Sequence, residues 1–158
     1  MKIIISDGTG EGPNSLAAFD AALIDANIAN YNLIKLSSVI PPNTELILDK
    51  TKIQENIQQN WGNRLYVVIA EAYATIPGEE AWAGLGWVID SEEKKGLFVE
   101  HHGSSRSEVE SDINLSLKTL TTNRGMIAGK FNIKLSHIVC KDKPVCSVAV
   151  AVYKSENW

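Results

Sequence analysis

The chain has 158 residues, of which 44% are hydrophobic and 22% charged, and a formal net charge of −4. This is ordinary for one soluble globular domain, which at this length buries about 70% of its unfolded surface. The negative balance argues against a nucleic-acid partner, which calls for a basic face, and is compatible with a small cationic ligand. No apolar run approaches the roughly 20 residues that span a bilayer, so no membrane partner is expected. Met1-Lys2-Ile3-Ile4-Ile5 is too short for a secretory signal, and a cytoplasmic location is expected. Cys140 and Cys146 flank a turn at Lys141-Asp142-Lys143-Pro144 and could face each other across a hairpin. In a reducing compartment two free thiols are the expectation. No Cys/His spacing suggests zinc, and no metal site is assigned.

In chain order, Lys2–Ser6 is a short β-branched strand. Asp7-Gly8-Thr9-Gly10-Glu11-Gly12-Pro13 lacks the Gly-Lys-Ser/Thr that closes a phosphate loop, and reads as a flexible loop. Asn14 or Ser15 caps a helix whose buried stripe is Leu16, Phe19 and Leu23. Asp20 sits at the border of that stripe, and Asp25 on the surface. Asn27–Asn30 turns the chain into a strand over Tyr31–Leu36. Asn32 shares a face with Ile34 and Leu36, where an amide needs partners; a turn-proximal surface position is the alternative.

Leu36-Ser37-Ser38-Val39-Ile40-Pro41-Pro42 follows. Each proline fixes its own φ and pushes its predecessor out of the helical region, so the strand ends in a stiff corner. The bond between Ser37 and Ser38 is a place where strain can be held. The plain alternative is a polar strand end before an ordinary turn. A strained amide preceding a serine has its own chemistry. The hydroxyl attacks the preceding carbonyl to give an ester, β-elimination cleaves it, and hydrolysis of the dehydroalanine leaves a pyruvoyl group.

Asn43–Asp49 reads as extended, and Lys50–Gln59 as a weak amphipathic helix stopped by Trp61-Gly62-Asn63. Leu65–Tyr73 is apolar on both faces, a strand covered on both sides. Its Glu71 either emerges at a sheet end or is a second site carboxylate. Thr75–Glu79 is a turn, and Ala81–Ile89 a strand whose Gly84 and Gly86 admit another layer closely. Asp90–Lys95 is a hairpin loop with solvated charges. In the strand Gly96–His102, Phe98 and Glu100 share a face. His101 and His102 either tune Glu100, contact a ligand, or lie at a strand end near solvent. Ser107 and Glu110 fit a capping box, and Val109, Ile113, Leu117 and Leu120 mark a helix that ends near Asn123-Arg124-Gly125 and carries no chemistry. Phe131–Val139 alternates as a strand, with His137 a packing histidine. Val145–Tyr153 is apolar on both faces. Together these elements make an α+β layered domain.

The run Leu16-Ala17-Ala18-Phe19-Asp20-Ala21-Ala22-Leu23, with Asn27 through Pro42, resembles the pyruvoyl-dependent arginine decarboxylases. The likeness is looser from Ala70 onward, where Ile76-Pro77-Gly78-Glu79 and Gly96-Leu97-Phe98-Val99-Glu100 are similar to family segments. The stretch 43–63 and the two histidines after Glu100 depart from the pattern. The resemblance implies a four-layer αββα sandwich and self-cleavage into a β chain, 1–37, and an α chain, 38–158. It implies a covalent pyruvoyl group derived from Ser38 and a Schiff base with the substrate amine. Asp20 would receive the guanidinium, with Asn32 and Ser37 beside the substrate, and Glu100 would protonate the α-carbon. The product would be agmatine, as in polyamine biosynthesis or acid resistance, made by trimers, or dimers of trimers, with sites between subunits. Two alternatives stand: a decarboxylase of lysine or ornithine, and an unprocessed binding or assembly protein of the same fold. A serine hydrolase is disfavoured, because no Gly-x-Ser-x-Gly elbow surrounds Ser38.

Overall fold

The structure is a computed structural model that describes residues 1–58 and 61–158. In chain order it contains β1 (Lys2–Glu11), α1 (Ser15–Asp25), β2 (Asn32–Lys35), β3 (Val39–Ile40) and β4 (Glu45–Ile47). A single 3₁₀ turn (Lys50–Lys52) leads into α2 (Ile53–Asn56). Then come β5 (Arg64–Ala74), β6 (Glu80–Ile89), β7 (Gly96–Gly103), α3 (Arg106–Asn123), β8 (Asn132–Val139) and β9 (Val145–Glu156). The helix expected over Lys50–Gln59 is thus two short turns, and its last residue, Gln59, lies outside the described residues.

The strands form a five-stranded sheet, β2-β5-β9-β1-β4, and a four-stranded sheet, β3-β7-β6-β8. Apolar side chains from both sheets, among them Ile5, Val68, Ala83, Leu85, Phe98 and Ala149, meet in a central core. A second core lies between the five-stranded sheet and α1, and a third between the four-stranded sheet and α3. The order is therefore helix, sheet, sheet, helix: the expected αββα sandwich. Two buried hydroxyls tie the sheets together, Ser147 Oγ donating to the Ala81 carbonyl at 2.9 Å and Ser136 Oγ to that of Gly8 at 3.1 Å. Both faces of β5 and β9 are covered, as their unbroken apolar runs predict.

The segment 7–13 is not a loop. β1 continues through it to Glu11, paired antiparallel with β9 as far as Glu11 opposite Val145. Its glycines serve close packing instead of mobility. A Cβ on Gly10 would lie 2.5 Å from the Ala18 carbonyl oxygen and 2.6 Å from Ala21 Cβ, so α1 rests directly on the strand backbone. This contact also rotates the helix from the expected stripe. Ala18 and Ala22 are buried, Phe19 and Leu23 only flank the core, and Leu16 is 77% exposed. Against bare strand backbone, alanine fits where leucine does not. Asn14 caps α1, its Oδ1 accepting from Ala17 N at 2.9 Å. Gly84 and Gly86 do the same for the other outer helix, as expected: a Cβ on Gly84 would lie 2.5 Å from Val109 Cγ1.

The capping box of α3 sits two residues earlier than the pattern suggests. Ser105 Oγ accepts from Glu108 N at 3.3 Å, and Glu108 Oε2 accepts from Ser104 N at 2.9 Å. Ser-x-x-Glu occurs at both registers, and the helix, which buries Val109, Ile113 and Leu117 on one stripe, is capped at the earlier one. Asp90 is not solvated but 4% exposed. Its carboxylate accepts from the backbone N–H groups of Glu92, Glu93 and Ile127, which hold it below the usual carboxylate range. The cysteines do not face each other: Cys140 points into the central core and Cys146 into the core under α1, and both are free. Burial, then the nearby charge of Glu71, pushes the Cys146 thiol up to about 12.

Candidate active site

β2 is an edge strand of the five-stranded sheet, parallel to β5, and β3 is an edge strand of the four-stranded sheet, antiparallel to β7. Ser37 and Ser38 are where the chain leaves one sheet for the other. Ser38 makes the corner with φ of +69°, in the left-handed region that a side chain disfavours. Its surroundings over-determine this conformation. Phe98 N donates to the Ser38 carbonyl at 2.8 Å, which extends the β3–β7 ladder by one bond. Tyr153, buried on β9, donates from its hydroxyl to the Val39 carbonyl at 2.9 Å, its ring edge-on to Phe98 at 6.3 Å. The residue is therefore held from both sheets, which is the condition for storing strain.

β3 is only two residues long, so β7 runs on past it toward Gly103. Glu100 stands on that bared edge, and its Oε1 accepts from Ser38 Oγ at 2.6 Å. This is a charge-assisted geometry, short as O–H···O⁻ bonds are. The negative charge of Glu100 is felt nearby: burial first, then that charge, pushes the Tyr153 hydroxyl well above its ordinary value. A pocket of about 290 Å³ opens here, its walls including Ser37, Ser38, Glu100, His101, Ser116 and Arg124. His101 Nε2 lies 2.8 Å from Ser116 Oγ, which ties β7 to α3.

Of the residues singled out in the sequence, Ser37, Ser38 and Glu100 come together. His101 joins them, while His102 is exposed and lines a separate cleft with Tyr73, Glu79 and Glu80. Asp20 is exposed on α1, in the outer layer over the other sheet, and does not line this pocket. Asn32 is exposed at the start of β2, its Nδ2 donating to the Gly62 carbonyl at 2.6 Å. It does not line the pocket either. Glu71 emerges on the α1 side, with Lys35 Nζ at 2.5 Å and the Tyr73 hydroxyl at 2.9 Å, and Phe19 lies 6.4 Å from the Tyr73 ring. His137 is exposed and not part of the core: its ring stacks on Trp82 at 4.2 Å and its Nε2 lies 3.3 Å from Glu80 at the surface. Arg124 and Tyr153 went unnoticed in the sequence. Arg124 reads as a helix end, and Tyr153 as one more apolar position of a buried strand.

The chain is similar to known proteins over most of its length. A pyruvoyl-dependent arginine decarboxylase of Thermococcus kodakarensis is 34% identical over 152 residues, covering 96% of this chain and 93% of the relative. One of Pyrococcus horikoshii is 33% identical with the same coverage. One of Halobacterium salinarum is 42% identical over 99 residues, 63% of this chain and 59% of the relative. Among solved structures, a pyruvoyl-dependent histidine decarboxylase aligns at a TM-score of 0.46 and 13% identity over 60% of this chain and 52% of that one, an overlap too partial to argue from. The profile of the pyruvoyl-dependent arginine decarboxylases matches residues 2–157, and the chain belongs to that family.

Proposed function

We propose that this chain cuts itself between Ser37 and Ser38, into a β chain 1–37 and an α chain 38–158, and then decarboxylates L-arginine to agmatine and CO2. The observation that carries the proposal is the left-handed corner at Ser38, with its hydroxyl directed by the Glu100 carboxylate. Cleavage follows from groups already in place. Ser38 Oγ bonds to the Ser37 carbonyl carbon, the 37–38 C–N bond breaks, and the nitrogen takes the proton, giving an ester. Loss of the Ser38 Cα proton with rupture of the Cβ–Oγ bond frees the Ser37 carboxylate. Water then replaces the nitrogen of the dehydroalanine, which leaves as ammonia.

The residues at hand suit the ketone that results. Ser38 is already on the pocket wall, and Phe98 N–H already donates to the adjoining carbonyl oxygen. Once formed, the pyruvoyl group supplies the electron sink that pyridoxal phosphate supplies in other decarboxylases. Phe98 N–H, which donates to the residue-38 carbonyl oxygen, would serve that group as an oxyanion-type contact. Glu100, within hydrogen-bond reach of the residue-38 side chain, holds the proton that the substrate α-carbon takes up. Asp20 meets the guanidinium in a two-bond fork that an ammonium does not reproduce, and this favours arginine over lysine or ornithine. Because Asp20 rides on the outer layer away from this pocket, a neighbouring copy must bring it, as in a homotrimer with sites between subunits. We assign the protein to the cytoplasm, in keeping with two free thiols.

Denaturing mass spectrometry of purified protein tests the reading. Two fragments cut after Ser37 are expected, the larger beginning with a ketone that borohydride reduces, alongside release of CO2 and agmatine from arginine. A single uncut chain with no reducible carbonyl overturns it in favour of an unprocessed binding protein.

A further inference from the structure

We propose that Arg124 anchors the α-carboxylate of the substrate, an inference that rests on the decarboxylase reading above. The chain has three arginines. Arg64 pairs with Glu156 and Arg106 with Glu110, whereas Arg124 makes no ion pair among the described residues. Its Nη1 donates to the Leu120 carbonyl at 3.3 Å, at the C-terminal end of α3. A guanidinium has five N–H donors, so most of the fork is left for a ligand. Arg124 is exposed, and its backbone is set by its place as the C-cap of α3, with Gly125 following at φ +61° to end the helix.

Arg124 lines the same pocket as Ser38 and Glu100. The same wall includes His101 and Ser116, joined by their 2.8 Å contact. An amino acid held by its amine at residue 38 brings its carboxylate out of water into this pocket. A charge so placed is costly unless an opposite charge answers it, and Arg124 is the permanently charged cation on this wall. The contact has a particular kinetic consequence. The carboxylate leaves as neutral CO2, so its attraction to a guanidinium weakens on the way to the transition state. Such a contact holds the ground state more than the transition state.

Steady-state kinetics of processed Arg124→Gln test the assignment. KM for arginine is expected to rise about tenfold, the factor that 1.4 kcal/mol of binding represents, with kcat not reduced. Inhibition by agmatine, which lacks the carboxylate, should stay within about twofold, and Arg124→Lys should recover part of the loss. An unchanged KM, or equal weakening of arginine and agmatine, overturns the proposal. Calorimetry separates this proposal from the activity it rests on. In unprocessed Ser38→Ala protein, adding Arg124→Gln must weaken arginine binding and spare agmatine. Wild-type protein that releases no CO2 refutes the activity, and the calorimetric comparison then judges Arg124 by itself.

Discussion

Strain at the proposed cleavage site is measurable without cleavage, by comparing Ser38→Gly with Ser38→Ala. Neither variant has an Oγ, so neither can cut itself, and both lose the same bond to Glu100. They differ in what a φ of +69° costs them. A Cβ in the left-handed region costs about 1–2 kcal/mol, and glycine is free of that cost. Glycine also loosens the unfolded chain, which at an ordinary position makes Ala→Gly destabilising by about 0.4–1 kcal/mol. The net is about 0.5–1 kcal/mol in favour of glycine, the reverse of the usual order. At this chain length that places the Ser38→Gly melting temperature about 1–4 °C above that of Ser38→Ala. Calorimetric melts at matched protein concentration read the difference. Equal melting temperatures, or a more stable alanine variant, would refute the claim that the native fold holds this residue under strain.

Glu100→Gln keeps the shape of the site but has no proton to give, so kcat should fall by about 10²–10⁴ on material shown by mass spectrometry to be cut; near-normal turnover would remove Glu100 from its role. Gly10→Ala pushes a Cβ against the α1 backbone at Ala18 and Ala22, where no side chain can swing away. It should cost about 1–3 kcal/mol, read as a lower melting temperature, and an unchanged melt would mean α1 is not seated as described. Burial alone would raise the Glu71 carboxyl, but the Lys35 ammonium and Tyr73 hydroxyl outweigh it and hold the group below its ordinary 4.5. A lowered folded-state value contributes stability above the unfolded value, lost as pH falls through the folded one. Glu71→Gln should therefore be less stable than wild type at pH 7, with the gap closing below about pH 4.5; a gap that widens in acid contradicts this.

How much of this was legible beforehand depended on the range of the interaction. The apolar runs of β5 and β9 and the 3.6-residue stripe of α3 are local patterns, and they predicted burial correctly. Gly8, Gly10 and Gly12 misled because glycine is locally a turn signal. Only the arrival of α1 on β1 makes it a packing residue, and that contact lies between elements. The same contact decides which face of α1 is buried, so a stripe read from Leu16 was rotated. At the site, the meeting of Ser38 and Glu100 spans 62 positions and depends on β3 pairing with β7. Periodicity does not show such a pairing; the family resemblance supplied it. Arg124 was passed over because a charged residue at a helix end has a sufficient local explanation.

The position of the proposed cut would let one fold both strain a peptide and survive its loss. Upstream of the cut, β1 stays laddered to β9 and β2 to β5, both within the five-stranded sheet. Downstream, β3 stays laddered to β7 in the other sheet. A cut there would therefore fall between ladders and sever none of them, and the cores on either side of the five-stranded sheet would keep their members. Cleavage would release the constraint that holds Ser38 left-handed. It would leave the residue-38 carbonyl on Phe98 N–H and Val39 on Tyr153, and these contacts would keep the new chain end where the hydroxyl was. A corner between two sheets meets both needs. Within a strand the bond would be unstrained, and in a free loop the new terminus would have nothing to hold it against Glu100.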